Sequence, residues 1–342
     1  MTNRMSYKDV INKNVRLYKT WWPNHAFHYT DVTNAVNILK EGKLYSRQDA
    51  TKLGIMRNDN ASRQVINMTN PEVMSYVRFY FRPLTPTQYH NEGYKPLEVR
   101  FNKDINANVP VPVFFIFDLE KILAMQGSLF SDQSQAGTGA VTSSGESAYE
   151  ALPFDKIYAT GYMEDPQIDI KYRHAEILYP KTFDISSALC RIICRNNVDR
   201  ETLLNMLRRE SEKAFYTYLN LISVDNSCFE NNGLFVNACD FYGDAATVEF
   251  SNTFEKKEYL RRNGKEEDTY PIEVSATFEW RKAREVVNSQ YSSLLIDYVN
   301  APTIKFSGLD RPKDATALYL TLHIEGRPIM IKSWQLTEAA VL

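Results

Sequence analysis

The sequence has no long apolar run. No window of its 342 residues approaches the roughly 20 apolar residues that a membrane-spanning helix needs. The opening residues, Met-Thr-Asn-Arg-Met-Ser-Tyr-Lys, also lack the apolar core of a secretory signal. We therefore expect a soluble, cytoplasmic protein with no membrane partner.

Cysteine is scarce, with four residues in the whole chain. Cys190 and Cys194 have a spacing that would place them on one face of a helix, whereas Cys228 and Cys239 lie in another context and no histidine pair accompanies them. Four cysteines spread over this length do not form a disulfide framework, and a zinc site would need closely spaced ligands. We expect reduced, buried thiols and no metal ion.

Several catalytic motifs are absent. There is no Gly-x-Gly-x-x-Gly after a strand and no Walker-type loop, which argues against a Rossmann dehydrogenase or a P-loop nucleotidase. Gly-x-Ser-x-Gly and His-Glu-x-x-His are also missing, which argues against an α/β-hydrolase or a zinc peptidase. A nucleotide ligand would have to be held by side chains rather than by a glycine-rich loop.

The chain has no excess of either charge. Lys and Arg number 40 and Asp and Glu 42, for a net charge of -2, so no overall field attracts nucleic acid. Local basic clusters occur at 256–265 and at 208–209, but glutamates are interleaved with both. A solvated charged face is the favoured interpretation of these clusters.

Apolar residues are plentiful and indicate an α+β protein. Hydrophobic residues make up 44% of the chain and aromatic residues 13%, enough for two cores. In the first part, the pattern predicts a helix from Asp31 to Gly42, a strand at 76–81 and a buried strand at 109–117 that leads into a helix. A largely helical stretch is predicted over 188–213, with a break near Asn196-Asn197.

Beyond about residue 215 the pattern changes to alternating, strand-like segments. We predict two domains, at 1–215 and 216–342, the second a smaller β-rich accessory domain with a helix near 281–300. Between the predicted elements of the first domain, the segment 131–148 is rich in Ser, Gly and Thr. It can bury little surface, which predicts a mobile loop that is either functional or a disordered insertion.

Three segments carry the candidate chemistry. They are Phe-His-Tyr-Thr at 27–30, Tyr-Val-Arg-Phe-Tyr-Phe-Arg-Pro-Leu-Thr-Pro at 76–86, and Lys-Tyr-Arg-His-Ala-Glu-Ile-Leu at 171–178. Taken alone, Glu176 in the last segment would be an exposed residue of an edge strand. In this order and at these separations, however, the segments resemble the DarT toxins, which use NAD to ADP-ribosylate bases of single-stranded DNA. The resemblance covers roughly 1–215.

The resemblance implies an ADP-ribosyltransferase-type split β-sheet domain with helices, and a role for several residues. Glu176 would be the catalytic carboxylate, and Arg63 would act beside the acceptor base, with Arg57 and Arg47 as competing candidates for that role. His28 and Thr30, which alternation places on one face of a strand, would contact NAD together with Tyr80. Gln133 and Gln135 of the 131–148 loop would contact the acceptor, because amide side chains can read base edges.

The implied activity is that of an NAD-dependent ADP-ribosyltransferase toxin with single-stranded DNA as substrate and a cognate antitoxin as partner. The commoner family pattern has proline where this chain has Arg78 and a methionine-containing turn near Thr87. This departure favours guanine as the acceptor base, with thymine as the other candidate. The alternatives are an RNA ADP-ribosyltransferase and a catalytically inert nucleic-acid-binding module that keeps the fold.

Overall fold

The computed structural model describes residues 5–55, 71–136, 139–161 and 169–336. Two hydrophobic cores divide the described chain. The first runs from Val10 to Phe229 and defines the N-terminal region, and the second contains most of the chain from Leu234 onward and defines the C-terminal region. No helix within the described ranges is long and apolar enough to cross a membrane.

The N-terminal region is built on a seven-stranded sheet with the order β5-β6-β3-β1-β4-β8-β9, beside a two-stranded ribbon of β2 and β7. Its strands are β1 (His25–Asp31), β2 (Lys43–Tyr45), β3 (Tyr76–Tyr80), β4 (Pro112–Asp118), β5 (Leu129–Ser131), β6 (Glu176–Pro180), β7 (Thr182–Asp184), β8 (Leu189–Cys194) and β9 (Ile222–Val224). Its helices are α1 (Tyr7–Tyr18), α2 (Val32–Glu41), α3 (Arg47–Lys52), α4 (Pro86–Asn91), α5 (Leu119–Ala124), α6 (Glu146–Glu150), α7 (Phe154–Ile157), α8 (Asn197–Glu210) and α9 (Glu212–Tyr218).

The elements around the centre of this sheet form where the sequence predicts them. β4 is buried at every position except Asp118, as expected for a continuous apolar run. The Asp31 carboxylate accepts a hydrogen bond from the Thr33 amide and caps α2, and Gly42 ends that helix in the left-handed conformation. On β3, Val77 and Phe79 point into the core while the alternate residues face the other way.

The C-terminal region consists mainly of two antiparallel sheets, with the orders β10-β11-β14 and β13-β12-β15-β16. Its elements are β10 (Val236–Tyr242), β11 (Ala245–Phe250), α10 (Phe254–Arg262), β12 (Pro271–Lys282), β13 (Glu285–Asp297), β14 (Ile304–Phe306), β15 (Ala317–Ile324) and β16 (Arg327–Gln335). Buried and less buried residues alternate along β12 and β15, so one face of the larger sheet covers the second core. The α+β class with a β-rich C-terminal part is therefore confirmed.

Two secondary-structure predictions are wrong. The helical prediction for 188–213 is wrong for its first part, because 189–194 forms β8 inside the first sheet, whereas α8 begins directly after Asn196, at the predicted break. The helix expected near 281–300 is instead the strand β13, which pairs with β12 along its whole length, and the helix of this region lies at 254–262. Both errors concern segments whose conformation depends on a partner strand.

The segment 131–148 is more ordered than expected. Its first residue belongs to β5, Phe130 and Ser143 exchange backbone hydrogen bonds, and α6 begins at Glu146. Residues 137–138 lie outside the described chain. The segment is therefore not a structureless loop in its described parts, and its mobility stays a prediction.

The two regions meet where the chain makes a very close backbone approach. Tyr94 and Leu234 form an antiparallel bridge, and beside it Gly93 lies directly against Gly233. A Cβ atom on Gly93 would come within 2.6 Å of the Gly233 Cα, so neither position has room for a side chain. The junction thus depends on a facing pair of glycines.

A buried carboxylate strengthens this junction. Glu92 accepts hydrogen bonds from the backbone amides of Glu230 and Asn231 at 2.9 and 2.8 Å. It also accepts one from the Gln88 side chain of α4 at 2.7 Å. The chain passes from the first core to the second near these residues, whereas the boundary at 215/216 stays a prediction; β9, beyond that boundary, still belongs to the first sheet.

Candidate active site

Glu176 opens β6 and is held between two partner strands. It pairs with Tyr80 of β3 on one side and with Ser131 of β5 on the other. Its side chain is only 1% exposed, so it is not the exposed edge residue that its position alone would suggest. A buried carboxylate needs a compensating partner.

That partner is Arg78, two residues before Tyr80 and therefore on the same face of β3. The Arg78 Nε donates to Glu176 Oε2 at 3.0 Å, and Nη2 donates to Oε1, so the contact is bidentate. Burial by itself would lower the pKa of the Arg78 guanidinium, but the Glu176 carboxylate raises it above its usual range. The two hydrogen bonds therefore fix the orientation of the Glu176 carboxylate.

His28 on β1 is tied to the same strand. Its Nδ1 lies 3.0 Å from the Arg78 carbonyl oxygen, which can only accept a hydrogen bond. Burial lowers the pKa of the imidazole, and the bond to the Arg78 carbonyl partly opposes this shift. In the neutral ring Nδ1 then carries the proton, which leaves Nε2 as an acceptor for a ligand hydroxyl.

Thr30 and Tyr80 lie close to these groups. Thr30 follows His28 at strand spacing, is 4% exposed and lines the same cleft. Tyr80 lines the cleft from β3, and burial raises the pKa of its phenol, so it acts as a neutral hydroxyl at neutral pH. The structure thus brings His28, Thr30 and Tyr80 together with Arg78, the partner of Glu176.

The cleft over these residues has a volume of about 710 Å³, within the range of small-molecule and cofactor sites. Its walls come from β1, β3, α2, α3 and α4, and from the turns at 101–107, 133–136 and 170–174. No cluster of three or more His, Cys, Asp or Glu side chains suited to a metal ion occurs in the described part of the chain.

The cleft has one end at α3 and the other at α4, and contacts of these two helices show toward which end Glu176 lies. α3 contacts the 71–75 turn that leads into Tyr76, at the start of β3. α4 follows the opposite end of β3 and contacts the 170–174 turn that leads into Glu176. Because Glu176 pairs with Tyr80, the carboxylate lies toward the α4 end of the cleft.

The predicted acceptor residues are placed differently from one another. Gln133 lines the cleft, whereas Gln135 is 7% exposed and is not among the described residues that line it. Arg63 and its competitor Arg57 lie outside the described residues. Of the two glutamines predicted to contact the acceptor, only Gln133 therefore lies in the wall of the cleft.

The basic clusters are largely paired, as the sequence favoured. Glu258 accepts hydrogen bonds at 2.8 Å from both Arg261 and Arg262 on α10. Lys256 is buried, and burial lowers its pKa to about 8. Arg209 lies 3.5 Å from Glu279. These residues form charged networks rather than a basic groove.

Sequence reasoning assigned no function to several residues of the cleft. For Arg78 the sequence indicates no partner, because its contact with Glu176 crosses 98 positions of sequence. His174, three residues from the 171 end of the same motif, also lines the cleft, and burial with the nearby Arg78 charge lowers its pKa to about 4. His90 and Phe101 line the α4 end, and no local pattern indicated that they stack on each other.

The four cysteines are free, as expected. Cys194, Cys228 and Cys239 are buried, and Cys190 is partly buried on β8 rather than on a helix. Burial raises the pKa of the Cys194 thiol above its usual range and that of Cys228 to about 12. Such thiols remain protonated at neutral pH and are poor nucleophiles.

Comparison with known proteins gives a family match. The model of the family described as "ssDNA thymidine ADP-ribosyltransferase, DarT" matches residues 27–219, more than half of the chain. This span contains the three segments at 27–30, 76–86 and 171–178. No curated protein matches the chain.

Solved structures of similar proteins share little sequence with the chain. Thermus sp. 2.9 DarT in complex with carba-NAD+ is 18% identical with a TM-score of 0.46, over 60% of this chain and 98% of that one. Its complex with ADP-ribosylated ssDNA aligns at 16% identity and a TM-score of 0.47, over 60% and 96%. Thermosipho africanus DarTG in complex with ADP-ribose is 14% identical with a TM-score of 0.47, over 60% of this chain and 51% of that one.

Proposed function

Because the chain belongs to the DarT family of single-stranded DNA thymidine ADP-ribosyltransferases, we propose that its cleft binds NAD with the nicotinamide ribose beside Glu176. The protein is an NAD-dependent ADP-ribosyltransferase that acts on single-stranded DNA. The residue roles that follow belong to the proposal. The observation that carries them is a buried carboxylate held bidentately by Arg78, which itself lines a cleft large enough for a dinucleotide.

His28, Thr30 and Tyr80 would hold the cofactor. With Nδ1 donating to the Arg78 carbonyl, the His28 Nε2 can accept a hydrogen bond from a ribose hydroxyl. The Thr30 hydroxyl faces the same side of β1 and can donate or accept. Tyr80 provides a ring face for the planar nicotinamide, next to the strand position that pairs with Glu176.

Transfer begins when the bond between the ribose C1′ and the nicotinamide nitrogen breaks. The electron pair stays with the nicotinamide, which leaves as a neutral base, and positive charge develops on the ribose as in an oxocarbenium ion. Glu176 stabilises that charge through a carboxylate that Arg78 has already oriented before the reaction. A ring nitrogen of the acceptor base then forms a bond to C1′ with its lone pair, and its proton passes to water.

Arg78 keeps Glu176 in place during this sequence. A carboxylate offers about four acceptor positions, and the two hydrogen bonds from Arg78 leave room for a ribose hydroxyl to donate to the same group. The arginine therefore acts as a positioning residue and does not exclude NAD. It also replaces the proline that the commoner family pattern has at this point of β3.

For the acceptor, the family description names thymidine, and we propose a thymine in single-stranded DNA as the base to test first. The preference for guanine that the sequence favours stays a prediction. Gln133 is positioned in the cleft wall to contact the base, whereas Gln135 is buried and is expected to support that wall. Arg63 keeps its proposed role beside the base, and a cognate antitoxin is the proposed partner.

The test compares Glu176→Gln with the wild-type protein on NAD and four oligonucleotides that differ in one central base. We expect the wild type to add the mass of one ADP-ribose to the thymine oligonucleotide, and the variant to be slower by about 10²–10³, the scale for losing one electrostatic stabiliser. Glu150→Gln, an exposed residue of α6, is the matched control.

Four results would contradict parts of this proposal. Wild-type turnover by Glu176→Gln would remove the glutamate from catalysis. Modification of the guanine oligonucleotide alone would replace thymine as the acceptor. Modification of RNA but not of DNA with the same sequence would contradict the DNA substrate, and no mass gain on any oligonucleotide would favour an inert binding module.

A further inference from the structure

An exposed aromatic side chain stands at the α4 end of the cleft. Phe101 is 41% exposed, although large apolar residues are usually covered. Its ring stacks on His90 of α4 with a centroid separation of 4.0 Å and an interplanar angle of 28°. Both residues line the cleft, so the outer face of the Phe101 ring borders the same space as the NAD residues.

The backbone around this ring is strained. Asn102 and Lys103 follow Phe101 with φ angles of 52° and 51°, in the left-handed region that non-glycine residues rarely adopt. Two such residues in succession are unfavourable and persist only where the surroundings hold them. Strained backbone of this kind is concentrated at ligand sites, where it fixes a side chain in a chosen position.

The C-terminal region supplies the support. Arg100, whose side chain is 2% exposed, forms an ion pair with Glu325 at 2.7 Å and donates from Nε to the Lys95 carbonyl oxygen at 2.7 Å. Glu325 lies in the turn between β15 and β16 and also accepts a hydrogen bond from the Tyr94 hydroxyl at 3.0 Å. The turn that carries Phe101 is therefore anchored to the C-terminal region through Arg100.

Neighbouring groups suit an aromatic ligand. Burial, with the Lys95 charge as a smaller cause, lowers the pKa of His90 to about 4, so the imidazole under Phe101 is uncharged at neutral pH. Lys103, two residues after Phe101 in the same turn, is exposed and adds a positive charge to this segment. Single-stranded nucleic acids are bound by aromatic faces beside basic side chains, since every base has a π-face.

We propose that Phe101, backed by His90, is the stacking platform for a nucleobase of the single-stranded DNA acceptor. This inference rests on the proposed function, because the acceptor must approach the ribose where Glu176 acts. Glu176 lies toward the α4 end, and α4 contacts the turn that leads into it. The adenosine half of NAD would extend to the opposite, α3 end. The platform also assigns a purpose to the C-terminal region, which holds the turn.

The experiment measures oligonucleotide and NAD binding in Phe101→Ala, Phe101→Trp and Ile105→Ala. Ile105 belongs to the same segment and is 54% exposed, which makes it a matched control for removing apolar surface. We expect Phe101→Ala to raise the KM for a thymine oligonucleotide about five-fold to a hundred-fold, the range for one lost base stack. The KM for NAD and the slow hydrolysis of NAD should stay unchanged.

Phe101→Trp should have a KM for the oligonucleotide close to that of the wild type, because indole stacks at least as well as phenyl. Its added tryptophan fluorescence should be quenched by the oligonucleotide in the absence of NAD. We would measure this quenching in a Glu176→Gln background, where turnover is removed. The measurement then tests the stacking role of Phe101 separately from the catalytic role of Glu176. If the quenching persists while Glu176→Gln retains activity, the catalytic assignment fails and the platform stands.

Three outcomes would overturn the platform. One is an unchanged oligonucleotide KM in Phe101→Ala. Another is a raised KM for NAD with no change for the oligonucleotide, which would place the adenine of NAD on the ring. The third is an equal loss in Ile105→Ala, which would indicate a general effect of the segment and not stacking.

Discussion

The two regions of the molecule use their strands in different ways. In the C-terminal region, β12 alternates between buried apolar and more exposed residues, and Phe278 and Trp280 close a dry core. In the N-terminal region, β3 buries Val77 and Phe79 on one face but directs Arg78 and Tyr80 into a cleft on the other. The N-terminal sheet carries paired charges on its second face and is therefore suited to bind a ligand. The C-terminal sheet that contains β12 covers a dry core with its alternating residues and is suited to support the N-terminal region.

The histidines show the same division. Four of the five, His25, His28, His90 and His174, lie in the N-terminal region, and burial lowers the pKa of each. The remaining one, His323, lies on β15 of the C-terminal region, and burial lowers its pKa as well, so the division is one of number. The regions are nevertheless joined by facing glycines and by Glu92, so they need not respond independently. Four changes test how far the division extends.

The largest effect is expected at the junction itself. Gly93→Ala would place a Cβ atom 2.6 Å from the Gly233 Cα and would also force alanine into a φ of +72°. We expect a loss of several kcal/mol in the free energy of unfolding, at the upper end of single substitutions. Gly243→Ala has a similar φ of +63° in open space and should cost only about 1 kcal/mol.

Denaturant unfolding of both variants, followed by hydrogen exchange in each region, measures this difference. Gly233→Ala tests the contact alone, because its Cβ would meet Glu92 and Gly93 backbone atoms at 2.6 Å. Equal stability of the Gly93 and Gly243 variants would mean that the close approach can relax, and that the two regions are less tightly joined than the geometry indicates.

The next effect concerns the charged face of β3. Arg78→Gln removes both hydrogen bonds to Glu176, and we expect kcat to fall by about 10², since an electrostatic stabiliser must be oriented before the reaction. Arg78→Lys should recover part of the rate, because a point charge restores attraction but not the bidentate geometry. A purely structural role predicts instead that kcat per folded molecule is unchanged in both variants.

Acid should affect the N-terminal region first. The pKa values of His90 and His174 are lowered to about 4, whereas the unfolded chain titrates near 6.5. Between these values the unfolded state binds more protons, so the stability that the neutral rings provide is present above pH 6.5 and is lost as the pH falls toward 4. Hydrogen exchange at several pH values should show protection falling around the cleft before it falls in β12 and β15.

The double variant His90→Asn and His174→Asn should flatten this pH dependence. Loss of protection in both regions at one pH would show that the junction makes them a single cooperative unit. Earlier loss in the C-terminal region would contradict the expected order.

The smallest effect is expected from a change in the C-terminal region that alters oligonucleotide binding at the cleft. Glu325→Gln removes the charged partner of Arg100 but keeps a similar shape, and we expect a few-fold rise in the KM for the oligonucleotide with no change in NAD hydrolysis. Glu325 is 46% exposed, so its ion pair with Arg100 is partly screened. In combination with Phe101→Ala, the Glu325 effect should disappear, because both act through the same ring; additive effects would indicate separate roles.

Local patterns predicted the elements that depend on their own residues. The capped helix after Asp31, the apolar strand β4 and the alternating strands β12 and β15 all formed as expected, because propensity, caps and periodicity agree there. The segment 189–194 was misread because a short apolar run fits a strand or a buried helix equally well. The signal that separates the two is Asn196, whose side chain caps α8 by accepting from the Asp199 amide.

β13 was misread for a different reason. It is an edge strand with most of its residues exposed, so its sequence has little apolar alternation to recognise. Its conformation is decided by pairing with β12 through the turn at 283–284, where Ala283 has a positive φ. Pairing partners lie outside the local window on which such predictions rest.

The sequence by itself determined the family segments, the α+β class and the position of Glu176 on a strand. Each of these depends on nearby residues, whose types and spacing are legible along the chain. Only the tertiary structure decided that Arg78 clamps Glu176, that Phe101 stacks on His90 at the rim, and that Glu325 anchors the turn behind it. These contacts join residues that are distant in sequence. Which residues can meet is decided by the register of the sheet and by the close approach of two glycines at the junction.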